Sequence, residues 1–149
     1  MHFMRKILSS VLAVLSLVLT VGVVSAAPAS AAVSCSGTIT YDHTIDGIGE
    51  LTIYYNSTNG GTNSACFYHR GAAYGVAAPT YVRMYRCVEA SGEGQPCTID
   101  VASSEDLGNY AYYAGPRGVT GTAHRCVAAV GYITWGGTTH VTGSGRQGC

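Results

Sequence analysis

The pattern of apolar and polar positions divides the chain into two parts of different character. The first part holds an apolar run over positions 7–24, with the basic residues Arg5 and Lys6 before it and small residues at 25–32 after it. A basic start, an apolar centre and a small-residue end are the three regions of a cleavable export signal. In the second part, apolar and polar residues alternate over short stretches.

The export signal sets the limits of the mature domain. Cleavage is expected after Ala31, with cleavage after Ala26 or Ala32 as alternatives. Residues 1–31 are therefore predicted to be a removed signal peptide, and residues 32–149 a single secreted domain, because their number suits one core better than two. The predicted location is extracellular, with no membrane association once the signal is removed.

Alternation with a period of two dominates the mature chain. In the segment 50–56, Leu51, Ile53 and Tyr55 take every second position, which is the spacing of a strand with one buried face. No segment keeps helical spacing over three turns. Strands are predicted at 37–42, 50–56, 65–70, 80–89, 97–103, 110–114, 124–134 and 138–142. The sequence thus predicts an all-β fold, an antiparallel sandwich or barrel of about seven to eight strands.

The segments between the predicted strands are rich in turn residues. Asn59, Gly60 and Gly61 supply the positive backbone φ that a tight reversal requires, and the segment 91–96 has a similar composition. One short helix is predicted near 104–107, where a serine can cap a turn that contains two acidic residues.

Six cysteines follow the signal, at Cys35, Cys66, Cys87, Cys97, Cys126 and Cys149. An even number in a small exported domain indicates three disulfides formed in an oxidising compartment. Two adjacent antiparallel strands would bring Cys87 opposite Cys97, so this pair is favoured. Pairing Cys126 with Cys149 would tie the C-terminus to a central strand, and pairing Cys35 with Cys66 would tie down the N-terminus. Sequence alone leaves other pairings open. No cysteine or histidine spacing is typical of zinc, so no metal or cofactor is expected.

The charge of the mature chain narrows the class of partner. Residues 32–149 contain six arginines, no lysine and eight acidic residues, for a formal net charge of −2. Because phosphate binding needs a concentrated basic face, nucleic acid is excluded as a partner.

Catalytic chemistry has little support in the sequence. The histidines of the mature chain are His43, His69, His124 and His140. Asp42 and Ser144 lie near two of them in the sequence, so a Ser/His/Asp hydrolase is one interpretation. The chain lacks a Gly-x-Ser-x-Gly elbow, and neighbours in a strand point to opposite faces, so Asp42 is not expected to orient His43. No catalytic residue is predicted, and the protein is not expected to be an enzyme.

Tyrosine is the most informative residue type for binding, since all eleven tyrosines lie in the mature chain. Tyr81, Arg83 and Tyr85 are predicted to share one face of a strand, and Tyr110 and Tyr112 form a similar pair. Exposed tyrosine and arginine would make a flat amphipathic platform for a sugar ring or a protein partner. The alternative is a purely structural role, because tyrosine packs well on pleated sheets.

Two segments carry a resemblance to a known family. The sequence LTIYYN at 51–56, with Gly60 and Cys66 after it, resembles the L-x-Y-N-x-x-x-G-x-x-C segment of the spore-associated protein A family of actinobacteria. The sequence YYAGP at 112–116, with a later Cys-Val and the terminal Cys149, is similar to the second half of that family's pattern.

The resemblance implies a small secreted protein at the cell or spore surface, with no established activity and no catalytic residues. It also implies pairing of Cys35 with Cys66 and of Cys126 with Cys149, whereas the other two cysteines are an addition in this chain. Ala128 and Ala129 stand where aromatic residues often follow the family's Cys-Val.

The function expected from these observations is that of a secreted, non-catalytic protein associated with a cell or spore surface. Its expected partners are cell-wall or spore-surface material, or a secreted protein. Two alternatives stay open: an inhibitor of an extracellular hydrolase that uses a rigid loop at 91–96, and a carbohydrate- or cell-wall-binding module that uses the tyrosines.

Overall fold

The structure is a computed structural model that describes residues 33–149, so the predicted signal peptide lies outside the described residues. The described part of the chain forms nine strands: β1 (Thr38–Ile45), β2 (Gly49–Asn56), β3 (Thr62–His69), β4 (Ala78–Cys87), β5 (Ile99–Ala102), β6 (Asp106–Tyr110), β7 (Tyr113–Thr120), β8 (Val127–Trp135) and β9 (Thr138–Gly143). Two single 3₁₀ turns occur, at Thr58–Gly60 and Gly71–Ala73.

The strands form two antiparallel sheets that pack face to face. Sheet A has the order β1-β2-β3-β7. In sheet B, β4 pairs with β8, β8 pairs with β9, and the other side of β4 pairs with β5 along one half and with β6 along the other. The all-β prediction is confirmed, and of the two architectures expected the molecule is a sandwich rather than a closed barrel.

The core lies between the sheets and is built from the inward residue of each alternation. Its largest side chain, Phe67 of β3, is fully buried. Gly49 of β2 and Gly131 of β8 lie against the Phe67 ring, and a Cβ at either glycine would collide with it. Two positions without side chains therefore create the space that Phe67 fills, as close packing requires.

Polar groups also tie the two sheets together. His69 at the end of β3 is fully buried, with Nδ1 3.1 Å from the carbonyl of Ala73 and Nε2 2.7 Å from the hydroxyl of Thr80 in β4. Because a carbonyl only accepts, Nδ1 carries a proton. This histidine, one of the catalytic candidates considered above, has a structural place in the core.

The second tie is Asp106 of β6. Its carboxylate accepts 2.6 Å hydrogen bonds from the Tyr110 hydroxyl and from the amide of Gly115 in β7, and lies 3.5 Å from the guanidinium of Arg117. The prediction of a short helix near 104–107 is wrong. The bonds of Asp106 to β7 and the pairing with β4 hold this segment in strand β6.

Strand β7 is where the sequence prediction fell short. The predicted strand 110–114 spans the end of β6 and the start of β7, whereas β7 runs on to Thr120. Gly115 and Pro116 resemble a turn in the sequence, and here they lie at an irregularity in the pairing with β3. Because β7 is an edge strand, no neighbouring strand on its outer side requires the amide hydrogen that proline lacks.

All three disulfides predicted from the sequence are present: Cys35–Cys66, Cys87–Cys97 and Cys126–Cys149. None of the cysteines among the described residues is free. In residues 33–149 no helix has the length and apolar character needed to cross a membrane.

Candidate functional site

The outward side of β4 carries the predicted tyrosine and arginine stripe. Val82 and Met84 are fully buried in the core, so the intervening Tyr81, Arg83 and Tyr85 point away from it and are partly exposed. The period-two prediction for these three residues therefore holds in the structure. Whether they bind a ligand stays a prediction.

The pairing of β4 with its neighbours extends this stripe into a face. Tyr81 lies opposite Tyr132 of β8 and Leu107 of β6, and Tyr132 lies opposite Val141 of β9. Directly opposed residues of antiparallel strands share a face. The outer face of sheet B is defined here as Tyr81, Arg83, Tyr85, Leu107, Val130, Tyr132 and Val141.

A row of four apolar and aromatic side chains crosses this face. The rings of Tyr81 and Tyr132 stack with centroids 4.9 Å apart and planes 6° from parallel. Leu107 and Val141, at the two ends of the row, are 55% and 57% exposed. Two causes raise the pKa of Tyr81: partial burial, which is the larger, and the neighbouring Tyr85. The phenol of Tyr81 therefore stays protonated. The row offers an apolar ridge edged with hydroxyl groups.

Arg83 lies next to this row in the middle of the face. Its Nε donates a 2.9 Å hydrogen bond to the carbonyl of Ser103, and its guanidinium carbon lies 5.6 Å from the centre of the Tyr85 ring. No acidic side chain within residues 33–149 forms an ion pair with Arg83. The face therefore carries a positive charge with no counterion from the described chain.

A shallow depression adjoins Tyr85. It has a volume of about 280 Å³ and a mainly apolar lining of Tyr85, Cys97, Ile99, Ala128, Ala129, Val130, Gly143 and Gly145. The space exists because small residues stand where larger ones would fill it, with Ala128 opposite Tyr85 and Gly143 opposite Val130. We refer to it as the Tyr85 depression.

The other two tyrosines predicted for the binding surface lie elsewhere. Tyr110 of β6 packs against the core, and its bond to Asp106, with burial, raises its pKa. Tyr112 lies in the turn after β6, where its ring meets Tyr74 edge-on at 5.2 Å. The structure therefore brings three of the five candidates together and separates the other two from them and from each other.

Several members of the face were not found from the sequence. Tyr132, Leu107, Val130 and Val141 lie on strands other than β4, and only strand pairing places them beside Tyr81 and Arg83. Alternation in β8 does mark Val130 and Tyr132 as one face, because Gly131 and Ile133 between them are buried. What the sequence lacked was the register.

The outer face of sheet A also holds tyrosines and an arginine. The hydroxyls of Tyr54 and Tyr68 lie 2.8 Å apart, and the Arg70 guanidinium lies 4.8 Å above the Tyr68 ring. Arg70 also donates two hydrogen bonds, of 3.0 and 2.9 Å, to the Glu50 carboxylate. The bonds from Arg70 lower the pKa of Glu50, whereas burial and the bond with Tyr54 raise that of Tyr68.

The remaining histidines and the serine considered for a triad do not assemble one. The Nδ1 of His140 lies 2.6 Å from the carboxylate of Asp46. Ser144 donates to the carbonyl of Gly145 and accepts from the amide of Ala129, so its hydroxyl closes the end of β9. Asp42 and His43 lie on the exposed edge strand β1.

Among residues 33–149, one cluster has the composition of a metal site. Cys87, Glu89 and Cys97 lie together, but the two sulfurs are joined in a disulfide. Only the Glu89 carboxylate then remains as a ligand. It accepts a hydrogen bond from Thr98, which lowers its pKa and gives it a role in holding the local turn. This arrangement does not hold a metal.

The loop 91–96 is exposed but firmly held. The disulfide at Cys87 closes its base, and Arg146 donates from Nη1 to the carbonyl of Ser91 and from Nε to that of Pro96, at 3.0 and 2.8 Å. The backbone adds two more bonds between the loop and Arg146. A small surface loop is thus held in one conformation by side-chain and covalent ties.

Comparison with protein-family models, with curated proteins and with solved structures finds no match for this chain.

Proposed function

We propose that this is a secreted, non-catalytic protein that binds material of a cell or spore surface through the outer face of sheet B. The observation that carries the proposal is the Leu107–Tyr81–Tyr132–Val141 row, whose two ends are more than half exposed, beside an arginine that has no acidic partner among residues 33–149. Exposed apolar and aromatic groups in one contiguous area are typical of interaction sites rather than of ordinary surface.

Two further observations support this proposal. The three disulfides are compatible with an extracellular protein, because such bonds form and persist in oxidising compartments. The sequence segments that resemble the spore-associated protein A family suggest a surface location. Neither observation depends on the face itself.

Localisation tests the first half of the proposal. The full chain is expressed in its natural host with a C-terminal tag, and the culture medium, the cell or spore surface and the cytoplasm are assayed. We expect a product cleaved near residue 31 in the medium or at the surface, with all six cysteines oxidised. A cytoplasmic pool with free thiols would refute secretion.

Sedimentation with isolated cell walls or spores tests the second half. The double variant Tyr81→Ala/Tyr85→Ala should lose most of the retention seen with the wild type. Tyr74→Ala is the matched control, because Tyr74 is 62% exposed and lies away from this face. If the double variant is retained as well as the control, the face is not the binding surface.

A second candidate function is inhibition of an extracellular hydrolase through the loop 91–96. The specific observation in its favour is that this exposed loop is held by a disulfide and by Arg146, because preorganised loops lose little entropy on binding. Assays against a panel of secreted proteases and amylases test it. Activity unchanged at micromolar protein would remove this candidate. Inhibition that Glu93→Ala abolishes, while Tyr81→Ala does not, would favour it.

A further inference from the structure

The arginines of the mature chain differ in how their charge is compensated. Arg70, Arg86, Arg117 and Arg146 pair with Glu50, Asp100, Asp106 and Glu89, at distances from 2.7 to 3.5 Å. Arg83 and Arg125 have no acidic partner within residues 33–149. Arg125 is exposed and donates to the carbonyl of Val88. Arg83 is partly buried among tyrosines, and a cation removed in part from water is stabilised by an anion that reaches it.

The Tyr85 depression and the charge of Arg83 share the Tyr85 ring as a neighbour. Arg83 is opposite Val130, Val130 is opposite Gly143, and Val130 and Gly143 both line the depression. The side chain of Arg83 does not line the depression, but its guanidinium carbon lies 5.6 Å from the centre of the Tyr85 ring, which forms one wall. The volume of about 280 Å³ lies just below the range of pockets for drug-sized molecules and suits one small ring.

The groups around the depression indicate which ring fits. Its lining is mostly apolar, and the Tyr85 ring forms one wall. Phenol groups of the outer face of sheet B stand along the outward side of β4. A sugar ring presents C–H groups that pack on an aromatic or aliphatic surface and hydroxyls that bond to phenols. A carboxylate on that ring would be complementary to the planar guanidinium, which can bond both of its oxygens.

A peptide partner fits these features less well. Peptide interfaces gain most of their binding energy from large side chains buried in well-packed pockets. The Tyr85 depression is open, shallow and limited to a single ring. A row of repeating sugars can instead continue from it over the partly exposed rings of Tyr81 and Tyr132.

We propose that the Tyr85 depression and Arg83 form a binding site for an acidic polysaccharide, in which one uronic acid ring occupies the depression and its carboxylate pairs with Arg83. This inference rests on the proposed function and adds the chemical class of the ligand. The formal charge of −2 on residues 32–149 works against non-specific attraction of a polyanion, so binding requires the local cation.

The test is a titration of the oxidised protein with a polyuronate and with a neutral polysaccharide of similar length, at physiological salt, where long-range attraction is screened. We expect measurable binding of the polyuronate only. Arg83→Gln should weaken it by about tenfold or more, the size expected for loss of a charge-assisted bond. Arg83→Lys, which keeps the charge but loses the fork of donors, should give a smaller loss.

Two matched variants separate the site from overall charge. Arg125→Gln removes the same charge elsewhere and should bind as the wild type does. Gly143→Val places a side chain at the depression, and its Cβ would make only ordinary contact, 3.6 Å from Val130. It should weaken binding as much as Arg83→Gln, with an unchanged thermal unfolding curve.

Equal losses in Arg83→Gln and Arg125→Gln, equal binding of the neutral polymer, or equally tight binding of polyglutamate would each overturn the proposal. Failure of the ligand class is distinguishable from failure of the proposed function. If the wild type binds cell walls but no polyuronate, only the ligand class falls, and if it binds neither, both fall.

Discussion

The outer faces of the two sheets carry the same residue types in opposite states. On sheet A, Arg70 forms an ion pair with Glu50, and the hydroxyl of Tyr68 is hydrogen-bonded to that of Tyr54. On sheet B, Arg83 has a carbonyl partner but no acid within the described chain, and the rings of Tyr81 and Tyr132 stack on each other. The two faces therefore differ in whether the arginine has an acidic partner among the described residues.

Coverage reinforces the difference. The segment 33–37 crosses sheet A, where Cys35 is bonded to Cys66 and Val33 lies against Gly118. Thr52, an outward residue of sheet A, is 1% exposed as a result. No described segment lies across sheet B in this way, and Leu107 and Val141 stay more than half exposed.

Removing the covalent tie on sheet A should have the largest effect on stability. Cys35→Ser/Cys66→Ser is expected to lower the free energy of unfolding by about 2–4 kcal/mol, because the unfolded chain regains its freedom. Chemical denaturation measures the change. Cys87→Ser/Cys97→Ser should cost about 1 kcal/mol less, since its separation is 10 residues rather than 31. A larger cost for the shorter loop would contradict the entropic explanation.

The bonds of Asp106, which join the two sheets, should come next. Asp106→Asn is expected to cost about 1–3 kcal/mol, because one acceptor is lost and Arg117 loses its counterion. Tyr110→Phe removes a single bond and should cost about 0.5–1.5 kcal/mol. Both are measured by denaturant unfolding. Equal stability of Asp106→Asn and the wild type would show that the cross-sheet bonds contribute nothing.

Acid should distinguish the two arginines. Since the folded-state pKa of Glu50 lies below its ordinary value of 4.5, the stabilisation from its pair with Arg70 is present above that value and is lost as the pH falls through the folded-state pKa. Glu50→Gln should therefore flatten the decline of the melting temperature below about pH 5. Arg83→Gln should leave that decline unchanged, because no carboxylate among residues 33–149 pairs with Arg83. An identical acid profile for Glu50→Gln and the wild type would contradict this assignment.

The smallest expected difference is between single phenol hydroxyls. Tyr68→Phe should cost about 0.5–1.5 kcal/mol, since the Tyr54 hydroxyl loses its partner. Tyr132→Phe on sheet B should stay within about 0.5 kcal/mol of the wild type, as surface substitutions usually do. Thermal unfolding of the two variants side by side measures the contrast, and equal losses would remove this difference between the faces.

Much of the fold could be predicted from local sequence patterns. Alternation in β4 placed Tyr81, Arg83 and Tyr85 on one face because side chains of a strand alternate whatever lies beside it. The Cys87–Cys97 disulfide could be predicted for a similar reason, since a short hairpin brings its two ends together. The helix predicted near 104–107 failed because Asp106 is bound by partners in β7 and by its own strand, which local propensity does not include.

The sequence by itself determined an all-β, disulfide-linked domain and the side of β4 on which the candidate residues lie. Only the tertiary structure decided that β7 continues through Pro116, that Tyr132 stacks on Tyr81, and that Glu50 compensates Arg70 while no acid of the described chain reaches Arg83. The physical reason is range: the period of a strand is set by adjacent residues, whereas register, ion pairs and the Tyr85 depression join residues far apart along the chain.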